Sequence, residues 1–488
     1  MKFSVRLRHY FVRIRSFFDI GRARAGALQS TGELVMGKWK VCAVFLVAFA
    51  AMSLQPAVGE TAAQRRMSRV LSGRSEPARL KTVAMLRMNP NLLYENMDVV
   101  TSATRLLLDS FESDREDGGD NATAKPAAKP SSVPDSVNQL LAIFAASPNE
   151  DARSTVIDAI EHTDGRISMI AMDLVGRHEI QAAVESLQDQ IMRSEFEDQY
   201  AYRFTLVRAL AQLHCPRSIE IMHQLHSQLR GQLRHEIANR LADVDVRDFD
   251  GDRKAYAQYL EQHPADSLVR PVSFVDGNVA GNIAMNGDAA MSGKLTLHDV
   301  SSESTGGLKL SKSHYYGINL NAGRMLFVID RSGSMKHPTR YDTRLQNAKR
   351  ELVRVIDDLP PEAEFSIMLF DTRVQAWKEE LLPAYPQNKR EAIAFVERIA
   401  LGDKTNTHGV LSDALEFDDQ LEVVFVLTDG QPTFGKLTHP DAILRDIVGR
   451  NRMRHLKFHT IGVGVNPLTE EFLKRLSEQT GGEFREVN

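Results

Sequence analysis

Cysteine is nearly absent from this 488-residue chain, which holds only Cys42 and Cys215. That excludes a disulfide scaffold and any Cys-rich zinc module. Long apolar runs are absent as well. A bilayer-spanning helix takes about 20 apolar residues. The one run that stands out, Val41–Leu54, has fourteen. A polytopic membrane protein is therefore excluded. Nor is there a broad excess of positive charge. Residues 1–59 hold nine of the 60 Lys and Arg against Asp19 and Glu33, a net of +7, which leaves 51 basic and 62 acidic residues in the rest, a net of -11. An acidic body argues against a general phosphate-backbone binder, so no nucleic-acid partner is expected. What is present is an ordinary globular mixture, 43% hydrophobic and 25% charged, long enough for two to four domains.

The apolar run follows Lys38-Trp39-Lys40 and precedes Ala57-Val58-Gly59, small residues of the kind a signal peptidase reads. This is the layout of a secretory signal with cleavage before Glu60, in a chain whose functional start is either Met1 or Met36. An uncleaved segment 41–58 would instead tether the protein to a membrane. The expected location is thus exported (periplasm, cell surface or secreted), with membrane anchoring as the alternative. Cys215 would then be the single mature cysteine and reads as a small buried hydrophobe.

From Thr61 to about Gln262 glycine is sparse and apolar residues recur at intervals of three and four, the helical spacing. A polar, Pro-rich stretch interrupts this pattern and divides it into a helical segment 60–111, a disordered linker 112–136 and a helical domain 137–263. Within the last, a shift of about 38 residues places Met172, Val175, Val184 and Leu187 on Leu210, Leu213, Met222 and Leu225. A helical-pair period of that size resembles HEAT-type repeats over roughly 137–245, either a solenoid or a plain bundle. Two motifs in this half fail. His235-Glu236 is followed by Asn239 where a zinc helix needs its second His. Asp248–Asp252 leaves Val246 and Ala257 where a calcium loop needs carboxylates, so Asp252 reads as a helix N-cap. Residues 264–320 turn glycine-rich and read as a linker with short strands.

Beyond residue 321 apolar runs alternate with helical spacing: Met325–Ile329, Phe365–Phe370, Val423–Leu427 and Phe458–Val463 as strands, helices between them, and a final strand at Glu483–Val487. That alternation predicts a mostly parallel sheet covered by helices on both faces. Polar residues stand where the strands end. The first runs into Asp330-Arg331-Ser332-Gly333-Ser334 and a later one into Thr428-Asp429-Gly430, with Lys404-Thr405-Asn406 between them. Ligands bind at the carboxyl ends of strands in open α/β sheets. Two carboxylates and three hydroxyls make a hard-oxygen set suited to Mg²⁺.

With those residues in view, the segment 321–488 resembles a von Willebrand factor type A domain. The Asp-x-Ser-x-Ser loop (Asp330, Ser332, Ser334), Thr405 and Asp429 match all five positions of that family's metal-ion-dependent adhesion site. The resemblance implies a Rossmann-like α/β fold behind an all-α N-terminal part and a bound Mg²⁺, or Mn²⁺ or Ca²⁺ in its place. It also implies a protein partner that completes the metal's shell with an acidic residue. An enzyme is not expected. No general base is set near the loop, no Gly-x-Ser-x-Gly elbow is present, and no Gly-x-x-x-x-Gly-Lys-[Ser/Thr] phosphate loop occurs. The alternatives to an exported adhesion protein are an accessory subunit of a separate ATPase or assembly machine, and a scaffold with a vestigial site.

Overall fold

The computed structural model describes residues 60–116, 133–263, 314–340 and 342–487. The basic N-terminus with its apolar run, most of the Pro-rich stretch and the glycine-rich residues 264–313 lie outside them. The chain divides into the units Met1–Arg66 and Met67–Asn488, and the second carries everything that follows.

Its first part is helical. After Glu76–Met88, Pro90–Glu95 and Met97–Glu116 come Asp135–Ala146, Glu150–Asp158 and Gly165–Arg177, then the short Val184–Asp189 and Ser194–Asp198. Tyr200–Gln212, Pro216–Gln228, Gly231–Ala242 and Arg253–Gln262 complete it. The helix Met97–Glu116 therefore runs into the segment read as linker from 112. Helical spacing gathers Leu140, Phe144, Val156, Met172, Leu206, Leu210 and Met222 into one buried core. At Gly176 an added Cβ would stand 2.8 Å from Ala209 Cα, so glycine allows helix 165–177 to lie directly on helix 200–212. The two segments paired by the 38-residue shift differ in form. The second is two 13-residue helices, whereas the first follows its 13-residue helix with only six helical residues flanked by 3₁₀ turns. Asp252 caps its helix as expected, accepting from the Lys254 and Ala255 amides.

The α/β part opens with a two-residue-strand hairpin, β1 (His314–Tyr315) and β2 (Ile318–Asn319). The main sheet contains β3 (Arg324–Asp330), β4 (Glu364–Phe370), β5 (Val374–Ala376), β6 (Leu382–Pro383), β7 (Val423–Thr428), β8 (Lys457–Val463) and β9 (Phe484–Val487). Its order is β5-β4-β3-β7-β8-β9, with β6 also on β4. All pairings are parallel except those of β5 and β6, the antiparallel edge pieces. Side chains alternate between two cores, as a doubly covered sheet requires. Met325, Phe327 and Ile329 face the helices Arg344–Asp358 and Pro386–Glu397. Leu326 and Val328 face Thr407–Glu416 and Pro440–Asn451, in a core continuous with that of the helical part. The helix Pro467–Thr480 ends on Gly481, whose left-handed φ of 73° closes it.

The helical part meets the α/β part at the amino ends of the strands. Tyr200 N donates to Asp419 O (2.9 Å), Arg203 to Gln420 (2.6 Å), and Lys457 pairs with Glu236. The carboxylate of Glu422, just before β7, accepts from Gln232 N (3.0 Å) and Gly323 N (2.9 Å), so it caps the helix Gly231–Ala242. Gly231, at φ 65°, has no room for a side chain, since a Cβ would lie 2.7 Å from both Glu422 Oε2 and Gly323 N. The opposite, carboxyl edge of the sheet is left for the loops.

Candidate metal centre at the carboxyl edge of the sheet

Among the parallel strands β3 is first in the chain, yet β4 lies on one side of it and β7 on the other. Chain direction across the sheet therefore reverses between β3 and β7, and that reversal opens a crevice at their carboxyl ends. Asp330 ends β3 and Asp429 follows β7, one on each side of it.

Three loops are knitted together there. Gly402 N donates to Arg331 O (2.6 Å) and Gly333 N to Asp403 O (2.9 Å), which fastens the Asp330 loop to the Thr405 loop. Thr433 N and Phe434 N both donate to Thr405 O, and Thr405 N donates to Thr433 Oγ1 (3.0 Å), which fastens the Thr405 loop to the Asp429 loop. The buried Met335 side chain anchors the turn after Ser334.

The five residues expected to act together meet in this crevice. Asp330 is fully buried; its Oδ1 accepts from Ser332 N (2.7 Å) and its Oδ2 from Thr428 Oγ1. Ser332 Oγ lies 3.1 Å from Ser334 Oγ, and Ser334 Oγ donates to Asp429 Oδ1 (2.6 Å). A Cβ on Gly430 would stand 3.5 Å from Ser334 Oγ and 3.6 Å from Thr405 Oγ1, which places both hydroxyls around that glycine. Thr428 and Arg344 also belong to the cluster, and sequence reasoning assigned neither of them a role. Arg344 donates to Asp429 Oδ2 (2.8 Å) from 85 residues away, a pairing no local pattern announces.

Electrostatics favour a cation here. Burial pushes the Asp330 carboxyl up from its ordinary 3.8 to about 7, against the lowering effect of the Thr428 and Ser332 hydrogen bonds, and nearby Asp429 adds to the rise. Among the described residues no cation pairs with Asp330. Its charge is disfavoured unless a positive ion balances it. No group of three or more His, Cys, Asp or Glu side chains is placed to hold a metal ion among the described residues. The donors are thus two carboxylates and neutral hydroxyls, all hard oxygens, and they fit Mg²⁺-type chemistry better than that of a softer metal. Phe434, 38% exposed, and Lys404, whose ammonium sits 5.3 Å from the Phe434 ring centre, stand at the rim.

A mostly parallel sheet with this strand order and this loop set at its switch point defines a Rossmann-type α/β fold. Residues 323–485 match the family model of the von Willebrand factor type A domain, so the chain carries a domain of that family. Over 170 residues it is 32% identical to inter-alpha-trypsin inhibitor heavy chain H1 of Mesocricetus auratus, covering 32% of this chain and 18% of that one. Over 189 residues it is 28% identical to heavy chain H4 of Homo sapiens, covering 36% of this chain and 20% of that one. The chain spans about a fifth of the length of these relatives. Among solved structures, the von Willebrand factor type A protein from Catenulispora acidiphila aligns over 34% of this chain and 38% of its own, with 21% identity and a TM-score of 0.30. No helix among the described residues is long and apolar enough to cross a membrane.

Proposed function

We propose that this protein is an exported, non-enzymatic binding protein. Asp330, Ser332, Ser334, Thr405 and Asp429 hold a Mg²⁺-type ion, and an acidic side chain of a protein partner completes the ion's shell. The observation that carries this reading is the meeting of two buried carboxylates with three hydroxyls at the sheet's switch point. The ion supplies electrophilic character, while Asp330 and Asp429 supply balancing charge and the hydroxyls supply neutral donors. The helical part supports the reading from the other side. It is attached at the amino edge, through Glu422, Asp419 and Lys457, so it holds the domain without occupying the metal face. Its role is then that of a platform, whether or not its helices form true HEAT-type repeats. Export rests on the basic and apolar pattern of residues 36–59.

The test is capture from extracellular or periplasmic extract on immobilised wild type and Asp429→Ala protein. A partner retained with Mg²⁺, released by chelator and absent from the variant is the expected result. A partner retained equally with chelator and on the variant contradicts a metal-dependent contact and favours the scaffold reading.

A further inference from the structure

Arg344 opens the helix Arg344–Asp358, and its guanidinium forks away from that helix toward the crevice. Nη1 donates to Asp429 Oδ2 (2.8 Å) and Nη2 to Gly464 O (2.9 Å). Asp429's side chain is 0% exposed and that of Arg344 19%, so the pair is largely shielded from solvent. Gly464 is shaped for this. Its φ is 56°, and a Cβ there would fall 2.8 Å from Arg344 Cζ. Gly464 thus makes space for a guanidinium beside the candidate metal centre.

The charges at this centre have a consequence for what it binds. Two carboxylates alone would neutralise a divalent ion completely, and an incoming carboxylate would meet a neutral site. With Arg344 spent on Asp429, ionised Asp330, Asp429 and Arg344 together offer a net single negative charge, so these three with a divalent ion carry a net single positive charge. One further carboxylate restores neutrality. We infer that Arg344 is a specificity-determining residue of the candidate metal centre, which weakens hold on the metal while making the loaded site demand an anionic ligand. This inference rests on the metal reading proposed above. It assigns to one arginine the coupling between the two ligands, a coupling that must be reciprocal in binding free energy.

The experiment measures Mg²⁺ affinity of the full chain by calorimetry at about pH 8, where Asp330 is mostly ionised, with and without excess acetate as the carboxylate probe. Wild type, Arg344→Gln, Arg344→Lys and Gly464→Ala are compared. Without acetate, Arg344→Gln is expected to bind Mg²⁺ more tightly, on the order of tenfold for the loss of one nearby positive charge. Acetate should tighten Mg²⁺ binding in wild type and in Arg344→Lys, and do so several-fold less in Arg344→Gln. Gly464→Ala, which displaces the guanidinium without removing it, should follow Arg344→Gln and serves if that variant does not fold. Unchanged or weaker Mg²⁺ binding in both Arg344→Gln and Gly464→Ala, or an undiminished acetate effect, overturns the inference and leaves the metal reading standing. Wild type that takes up no divalent ion overturns both.

Discussion

Asp330 shows at single-residue scale how a binding site opposes its own fold. Its carboxyl keeps a proton up to about pH 7 in the folded, metal-free chain, whereas the unfolded chain releases it near 3.8. The folded pKa is the raised one, so this contribution to stability is fully present below about pH 3.8 and is lost as pH climbs through 7. Asp330→Asn removes the penalty while keeping the side-chain shape. With chelator present at pH 7, it should raise unfolding free energy by on the order of 4 kcal/mol, and the advantage should shrink toward pH 4. Urea melts at several pH values check this; an Asn variant less stable than wild type at pH 7 would mean that Asp330 is not held against its charge. The five candidate residues could be picked out of the sequence because Asp-x-Ser-x-Ser is a compact pattern and Asp429 follows an unbroken apolar strand. Arg344 could not, because its partner lies 85 residues on and nothing local in a helix-opening arginine tells where its guanidinium turns.

At the scale of elements, the sheet was written plainly. Runs such as Met325–Ile329 and Val423–Leu427 are strands buried on both faces, and β3, β4, β7 and β8 form within a residue or two of them. Helix starts were less legible. Apolar spacing points to beginnings at Arg390, Ala442 and Glu470, but the helices begin at Pro386, Pro440 and Pro467. Their first turns are mostly polar or exposed and add nothing to the apolar stripe; the proline at the first helical position was the signal available. The strands β1, β2 and β6, two residues each, are too short to carry a pattern. Gly231 tests the joint between elements. Gly231→Ala would press a methyl group against Glu422 and Gly323 in a left-handed backbone conformation. It should destabilise the chain by about 2 kcal/mol. Mg²⁺ affinity should stay unchanged, because the site is at the other edge of the sheet. Thermal melts beside calorimetric titration separate the two effects, and a variant that loses Mg²⁺ binding while keeping its melting temperature contradicts that separation.

Among the described residues a helical part is joined to the amino edge of a type A domain, a joint the sequence could not display because its contacts link residues about 200 positions apart. Buried histidines tie the chain's stability to pH, two of them in the α/β part. His459 stacks on Phe425, and its Nδ1 accepts from Glu483 N (2.9 Å), a bond that protonation would break. His455 stacks on Phe204 of the helical part. Burial lowers His459 from 6.5 to about 3 and His455 from 6.5 to about 4. Both folded values are depressed, so the unfolded chain takes up protons first, and stability is lost as pH falls below 6.5. Asp330 and Glu422, both raised by burial, act in the opposite sense, and His223, lowered to about 4, acts in the same sense. The measurement therefore compares Asp330→Asn protein with the same protein carrying His455→Phe or His459→Phe. The drop in unfolding free energy between about pH 6.5 and 5 should be smaller by roughly 2 kcal/mol for each histidine replaced. A drop unchanged by either replacement would show that these rings are already free to protonate.

The central claim is that Asp330, Ser332, Ser334, Thr405 and Asp429 together hold a divalent ion. Calorimetric titration of Mg²⁺ into chelator-stripped full chain tests it most directly, at about pH 8, where Asp330 is mostly ionised. Wild type should take up one ion per chain. Asp330→Ala and Asp429→Ala should each weaken binding at least about tenfold, since each removes a balancing charge. Thr405→Ala should weaken it less, since water can replace a neutral oxygen. Wild type that binds no Mg²⁺ at millimolar concentration, or an Asp330→Ala protein that binds as tightly as wild type, would contradict the account.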